Sequence, residues 1–397
     1  MTATIVLDSG VGVTCLERRD VAVAALVVTT GVGSCEDPVG LSGTAHLTEH
    51  LLFRQDDVPY VRRAAALGAD SGGVTGRGSM ASHDVVPTEG LRALVPLAAG
   101  RWCRERLDTS AFASERSVVL AEVAASVGGL RHPWEGLVSP DERGGRSRLP
   151  HGAPEQLVRV TRDDCQAYFA RAARPESVNV VVCGDVREAE VVDQVAEAFA
   201  GLGSADAPTQ ASATAEVDPE IASPRRSGTR ALHLFWPGSQ DPARHAAATV
   251  LTQVVARHYE PTARRLVPGL RSARLGLGFQ DDPRAGRGPE LVTFRVEGET
   301  CDDDVEAQRA EGLLRTVLGH VAHELPDERV VAVARHASLD HASGRTSPLA
   351  AALETGRAVA LGHPPSEVVE DLLSAVDGPA VRALAAQWCE AEWVEVA

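Results

Sequence analysis

The sequence predicts an α+β protein built from two similar α/β units, and three observations carry that expectation. In the first 200 residues, short runs rich in branched residues alternate with longer stretches of helical periodicity. Residues 201–228 are rich in Ala, Ser, Thr, Pro and Asp without apolar periodicity, which is the composition of an interdomain linker. From residue 229 onward the plan restarts, with a similar length and order of elements, as a duplicated unit would. The expected organisation is a first domain over 1–200, a linker over 201–228 and a second domain over 229–397.

Taken in order, residues 4–7, 11–16 and 21–30 read as strands because Val, Thr and Ile dominate them. A helix around residues 46–50 follows a Gly-containing turn, Gly40-Leu41-Ser42-Gly43-Thr44. The Gly/Ser-rich stretch 71–79 reads as a mobile loop between strands, and it lacks the G-K-[ST] ending of a phosphate-binding loop. Residues 88–106 and 109–127 carry helical patterns, 179–186 a buried strand ending in a turn, and 188–199 an amphipathic helix. After the linker come a strand at 231–236, a long helix at 243–259, a strand at 290–297 and helices to the C-terminus.

Composition bounds the function classes. The hydrophobic share of 44% over 397 residues is enough for two proper cores, and the 4% of aromatics means that Val, Leu and Ala must fill them. A net charge of −16 argues against a nucleic-acid or anionic-membrane partner and suits a protein handling cationic peptides. All basic residues are Arg. No apolar run approaches the ~18 residues of a membrane span, and the N-terminus has no basic segment leading into an apolar one. Seven scattered cysteines without a C-x-x-C read as reduced thiols, so the expected location is cytoplasmic. No G-x-G-x-x-G context and no serine or cysteine nucleophile arrangement emerges.

The chemistry concentrates in His46-Leu47-Thr48-Glu49-His50. On a helix, His46 and His50 lie one turn apart on one face and can chelate one zinc ion. Glu49 is then within reach of a water activated by that metal. A catalytic zinc usually takes three protein ligands, and a carboxylate on a second helix is the natural third. Glu115 and Glu122, seven apart, share a face of the helical segment 109–127, with Val118, Val119 and Val123 expected in the core. The same pattern also fits an ordinary amphipathic helix with exposed glutamates.

Together these segments resemble the M16 (pitrilysin-like, inverzincin) metallopeptidase family. Gly43-Thr44-Ala45-His46-Leu47-Thr48-Glu49-His50-Leu51-Leu52-Phe53 is similar to that family's G-x-A-H-x-x-E-H-x-x-F signature, and Glu115-Arg116-Ser117-Val118-Val119-Leu120-Ala121-Glu122 to its E-R-x-V-V-x-x-E segment. Residues 157–164 and 175–186 resemble its usual close of the first domain, and the resemblance continues more faintly through 229–397. It implies two domains with antiparallel-rich sheets sandwiched with helices. It implies His46, His50 and Glu122 as ligands of a zinc cofactor, Glu49 as general base, and Glu115 as the carboxylate that orients a ligand histidine.

Two departures matter. The family's second domain carries an Arg and a Tyr, in L-R-E-x-x-G-L-x-Y, that hold the substrate carbonyl. The nearest match here is Leu270-Arg271-Ser272-Ala273-Arg274-Leu275-Gly276-Leu277-Gly278-Phe279, where Arg271 or Arg274 can serve but Phe279 has no hydroxyl. The Asn of the family's G-x-x-N-A-x-T segment is also missing, because the chain's only Asn is Asn179. By resemblance to the two-chain processing peptidases, the chain is expected to be the zinc-bearing subunit of a heterodimer whose partner supplies the Arg/Tyr pair. A homodimer is the plainer alternative. The expected activity is zinc-dependent endopeptidase cleavage of peptides, as in precursor maturation. The rival reading is a non-catalytic structural or peptide-binding subunit.

Overall fold

The Val-rich runs of the first 200 residues pair into one sheet whose central strands are apolar on both faces, so helices must cover both. The structure is a computed structural model and describes residues 3–54, 58–105, 107, 110–127, 150–203, 229–236, 241–266, 270–277, 290–298, 304–391 and 393–395. These residues form two units. The first holds the described residues up to 203 together with 344–365, and the second holds those of 229–343 and 366–395.

The strands of the first unit are β1 (Ile5–Val6), β2 (Gly12–Glu17), β3 (Val23–Thr30), β4 (Asp70–Thr75), β5 (Met80–Pro87) and β6 (Val178–Gly184). They stand in the order β1-β2-β6-β3-β5-β4, with β2 parallel to β6 and every other neighbouring pair antiparallel. The helices along this stretch are α1 (Thr44–Leu52), α2 (Tyr60–Ala65), α3 (Leu91–Trp102), α4 (Phe112–Val127), α5 (Pro154–Leu157), α6 (Arg162–Ala172) and α7 (Glu188–Ala198). The remaining elements are β7 (Thr229–Trp236), α8 (Pro242–Leu266), β8 (Leu270–Leu277), β9 (Glu290–Gly298), α9 (Asp304–Glu324), α10 (Asp327–Ser343), α11 (Pro348–Leu361), α12 (Ser366–Ser374), α13 (Gly378–Glu390) and β10 (Val394–Glu395).

The second sheet has the order β10-β7-β9-β8 with antiparallel neighbours throughout. That repeats the order β6-β3-β5-β4 of the first sheet, strand for strand along the chain. The duplication expected from element order is thus visible in topology. In the second unit, Val250 and Leu251 of α8, Leu314 and Leu318 of α9, and Trp388 of α13 are fully buried in one core.

Alternation along β3 divides the core of the first unit. Ala24, Leu26 and Val28 face α1, α3 and α6, while Ala25 and Val27 face the opposite way beside Val181 and Cys183 of β6. The opposite face is closed by Ala351 and Ala352 of α11. A Cβ on Gly356 of that helix would overlap Thr29 Oγ1, so the helix lies tight against the strand. Helix α11 comes from the stretch 229–397 expected to build the second domain, yet it belongs with the first sheet. The reason is that the β3 and β6 faces opposite α1 are apolar and need a cover.

Two local expectations are corrected. The stretch 71–79 does not begin as a loop, because residues 70–75 are the edge strand β4. Its glycines serve close approach rather than a turn. A Cβ on Gly72 would lie 2.7 Å from His83 Nε2, and one on Gly73 would overlap Glu49 Oε1. The segment 270–277, read from the sequence only as a substrate-binding motif, is strand β8. The expected linker lies outside the described residues from 204 to 228. Among the described residues no helix is long and apolar enough to cross a membrane.

Candidate metal centre

Helix α1 is held from its N-terminus by a buried carboxylate. Gly43 precedes it with φ 102°, a left-handed conformation that favours glycine, and offers no side-chain cap. Asp37, 1% exposed, takes that role from six residues upstream, accepting from the Gly43 and Ala45 backbone N–H groups at 2.7 Å each. A carboxylate there also complements the positive end of the helix dipole. Leu47, Leu51 and Leu52 are fully buried, which turns His46 and His50 together toward the opposite side. Their ring centroids are 4.9 Å apart.

Helix α4 brings the two glutamates. Phe112, Glu115, Val119 and Val123 form its buried face, and Glu122 sits at the rim with 48% of its side chain exposed. Val118, expected in the core, is 40% exposed, because the helix is rolled so that Glu115 rather than Val118 points inward. Glu122 Oε2 lies 3.6 Å from His46 Nε2 and 3.4 Å from His50 Nε2. Glu115 Oε2 lies 3.3 Å from His50 Nδ1.

The contacts at Nδ1 place a hydrogen on that nitrogen of each imidazole. His46 Nδ1 is 3.3 Å from the His151 carbonyl oxygen, which can only accept, so that nitrogen carries the hydrogen. His50 Nδ1 faces the Glu115 carboxylate and donates likewise. Burial, reinforced by His50, pushes His46 down to about 4, so it is neutral at pH 7. Read as ion pairs, the two histidine–Glu122 contacts would need protonated rings, and for His46 burial excludes that at neutral pH. His46 Nε2, His50 Nε2 and a Glu122 oxygen converge on one point, with ligand atoms all within 4.8 Å of one another. The neutral His46 Nε2 and the Glu122 carboxylate oxygen 3.6 Å from it are both acceptors, so they repel unless a cation sits between them. Ligands about 2.0–2.1 Å from a tetrahedral zinc stand about 3.3 Å apart, so the donor set fits that ion.

Glu49, 8% exposed, lies beside this point. Thr75 Oγ1 donates to its Oε2 at 3.0 Å, and Gly73 leaves room for its other oxygen. Burial raises the Glu49 pKa, with the Thr75 hydrogen bond opposing the shift. A carboxylate raised toward the working pH is a better proton acceptor for catalysis. Thr75→Val removes a bond made to the charged form, so the pKa rises further. A base works only when deprotonated, so the acid limb of the kcat/KM profile should move to higher pH in that variant. An unmoved acid limb counts against Glu49 as the base.

His151 was not anticipated from the sequence. It lies in the turn before α5, where Gly152 (φ 82°) packs against Gly43, and its ring centroid is 6.2 Å from that of His46. Burial lowers its pKa, and the Glu122 charge opposes that shift. Its contribution to His46 is a backbone carbonyl, which leaves no side-chain signature to read.

The structure therefore brings His46, His50, Glu122, Glu49 and Glu115 together within the first unit. Arg271 and Arg274 lie on β8 of the second unit, Arg271 at a register shift and Arg274 opposite Arg295. Phe279 lies outside the described residues.

Two segments of the chain match known protein families. Residues 13–132 match the family described as Insulinase (Peptidase family M16), and residues 159–336 match Peptidase M16 inactive domain. An uncharacterized zinc protease of Mycobacterium leprae is 28% identical over 184 residues, covering 44% of this chain and 41% of that relative. The match thus spans about two fifths of the relative's length. The fold resembles the crystal structure of a protease from Helicobacter pylori (TM-score 0.75, 16% identity, 98% of this chain and 96% of that one). It also resembles the peptidase M16 inactive domain from Pseudomonas fluorescens (TM-score 0.72, 16% identity, 96% and 93%).

Proposed function

The chain belongs to the M16 peptidase family, and on that premise we propose that it is a zinc-dependent endopeptidase acting on extended peptides. The observation that carries this reading is the convergence of His46 Nε2, His50 Nε2 and Glu122 Oε2, with the buried Glu49 beside them. Bound zinc would supply Lewis acidity, polarising the scissile carbonyl and acidifying the attacking water. Glu49 takes the proton from that water and hands it to the leaving amine. Glu115 and the His151 carbonyl hold the two imidazoles with Nε2 forward throughout. A non-catalytic scaffold would have no use for this set of groups.

Strand β4 supports a peptide substrate. It is the outermost strand of its sheet, and Gly73 and Thr75 on it touch Glu49. An extended peptide added along that edge would lie beside the base. The net charge of −16 favours basic peptides. Maturation of a peptide precursor is the role we assign, in the cytoplasm, where the six described cysteines would stay reduced.

Phe279 in place of a hydroxyl-bearing Tyr supports a heterodimer, with a second M16-like chain supplying the Arg/Tyr pair and Arg271 or Arg274 assisting. The test is peptide hydrolysis by this chain alone and after mixing with such a chain. Activity only in the mixture is expected. Full activity of the lone chain overturns the heterodimer and leaves a homodimer or monomer.

A further inference from the structure

We propose that Arg54 is a positioning residue of the metal centre, fixing the carboxylate that in turn fixes His50. The inference rests on the zinc reading above and extends it by one residue that no motif singles out. His46, His50 and Arg54 are spaced by four and lie along one helical row. Helix α1 ends at Leu52, but Phe53 keeps helical dihedrals and the Arg54 N–H still donates to the Leu51 carbonyl at 3.2 Å, so the row continues past the helix end. Phe53 anchors that last turn, stacked edge-on against Tyr60 at 6.0 Å and lying 4.8 Å beneath the Arg101 guanidinium.

Glu115 stands between His50 and Arg54 and uses one oxygen for each. Its Oε2 faces His50 Nδ1 at 3.3 Å, and its Oε1 accepts from Arg54 Nε at 2.8 Å. The terminal torsion of a glutamate is broad and nearly free, so one hydrogen bond leaves the carboxylate able to swing. Two donors on opposite oxygens remove that freedom, and the shorter, charge-assisted one comes from Arg54. Glu115 has 5% of its side chain exposed and Arg54 has 47%. Exchanging the arginine therefore disturbs the carboxylate without opening the core. Arg54 thus orders His50 through Glu115 and never touches the metal.

Zinc affinity of Arg54→Met, Arg54→Lys and the unaltered chain, measured by competition with a chromogenic chelator, tests this. Alongside it, the ring-nitrogen NMR signals of His50 and the melting temperature are recorded on metal-free protein. Groups that orient ligands typically contribute 10–100-fold in metal affinity, so Arg54→Met is expected to weaken zinc binding about tenfold. Its His50 should lose its pure Nδ1–H tautomer while the metal-free melting temperature stays unchanged. Arg54→Lys, which keeps the charge but not the planar fork, should recover part of the loss. Equal zinc affinity in Arg54→Met and the unaltered chain overturns the inference, as does a loss explained by a lowered metal-free melting temperature. If the unaltered chain binds no zinc, the proposed function itself fails, which is a different result from either.

Discussion

Glu49→Gln is expected to lower peptide hydrolysis on the order of 10²–10⁴-fold while zinc stays bound. The substitution keeps shape and hydrogen-bonding reach, so Thr75 can still donate to the amide oxygen now standing where Glu49 Oε2 was. What disappears is a buried carboxylate beside His50 and Glu122, raised in pKa and not part of the converging set. The three converging ligands come from His46, His50 and Glu122, none of which is altered. Turnover measured together with zinc content separates the two roles. Unchanged turnover removes Glu49 as the base, and lost zinc would make it part of the binding set instead.

Arg101→Leu is expected to cost about 3–5 kcal/mol of stability, because it strands a buried carboxylate. Asp84 is fully buried and accepts from Arg101 Nη2 at 2.7 Å, the Tyr60 hydroxyl at 2.8 Å and the Ser71 hydroxyl at 2.5 Å. The Arg101 guanidinium, with 2% of its side chain exposed, also lies 3.7 Å above the Tyr60 ring. This cluster ties β4, β5, α2 and α3 into the wall behind Glu49. Adding Asp84→Asn to Arg101→Leu should restore part of the loss, since the stranded charge is gone while the amide still bonds both hydroxyls. Chemical denaturation measures both variants. A cost below about 1 kcal/mol for Arg101→Leu would mean that water reaches Asp84 and that the cluster is not dry.

The parts legible in the sequence are those written in local spacing. The interval of four between His46 and His50 and of seven between Glu115 and Glu122 put each pair on a helix face before any tertiary contact is known. Burial on α4 then distinguishes two glutamates that the spacing leaves alike, since Glu115 is 4% exposed and Glu122 sits at the rim. What was not legible depends on contacts between distant segments. Gly72 and Gly73 look like a turn, and only the crossing of Glu49 and His83 over them shows why a strand needs them bare. The His151 carbonyl reaches His46 from 105 residues away and has no residue-type signature. Helix α11 has an Ala-rich face that would suit either unit, and its place is decided by the apolar faces of β3 and β6. The pairing of β8 was hidden because its alternation mixes Arg, Ser and Gly among the leucines.

The central claim is that three side chains from two helices form a zinc site, and metal content tests it most directly. Purified chain exposed to zinc and then dialysed should hold about one zinc per chain, with the metal released by a chelator. Glu122→Gln, which removes the one charged ligand from an exposed rim position, should bind it far more weakly without unfolding. A chain that holds no zinc, or a Glu122→Gln variant that holds it as tightly as the parent, would contradict the account.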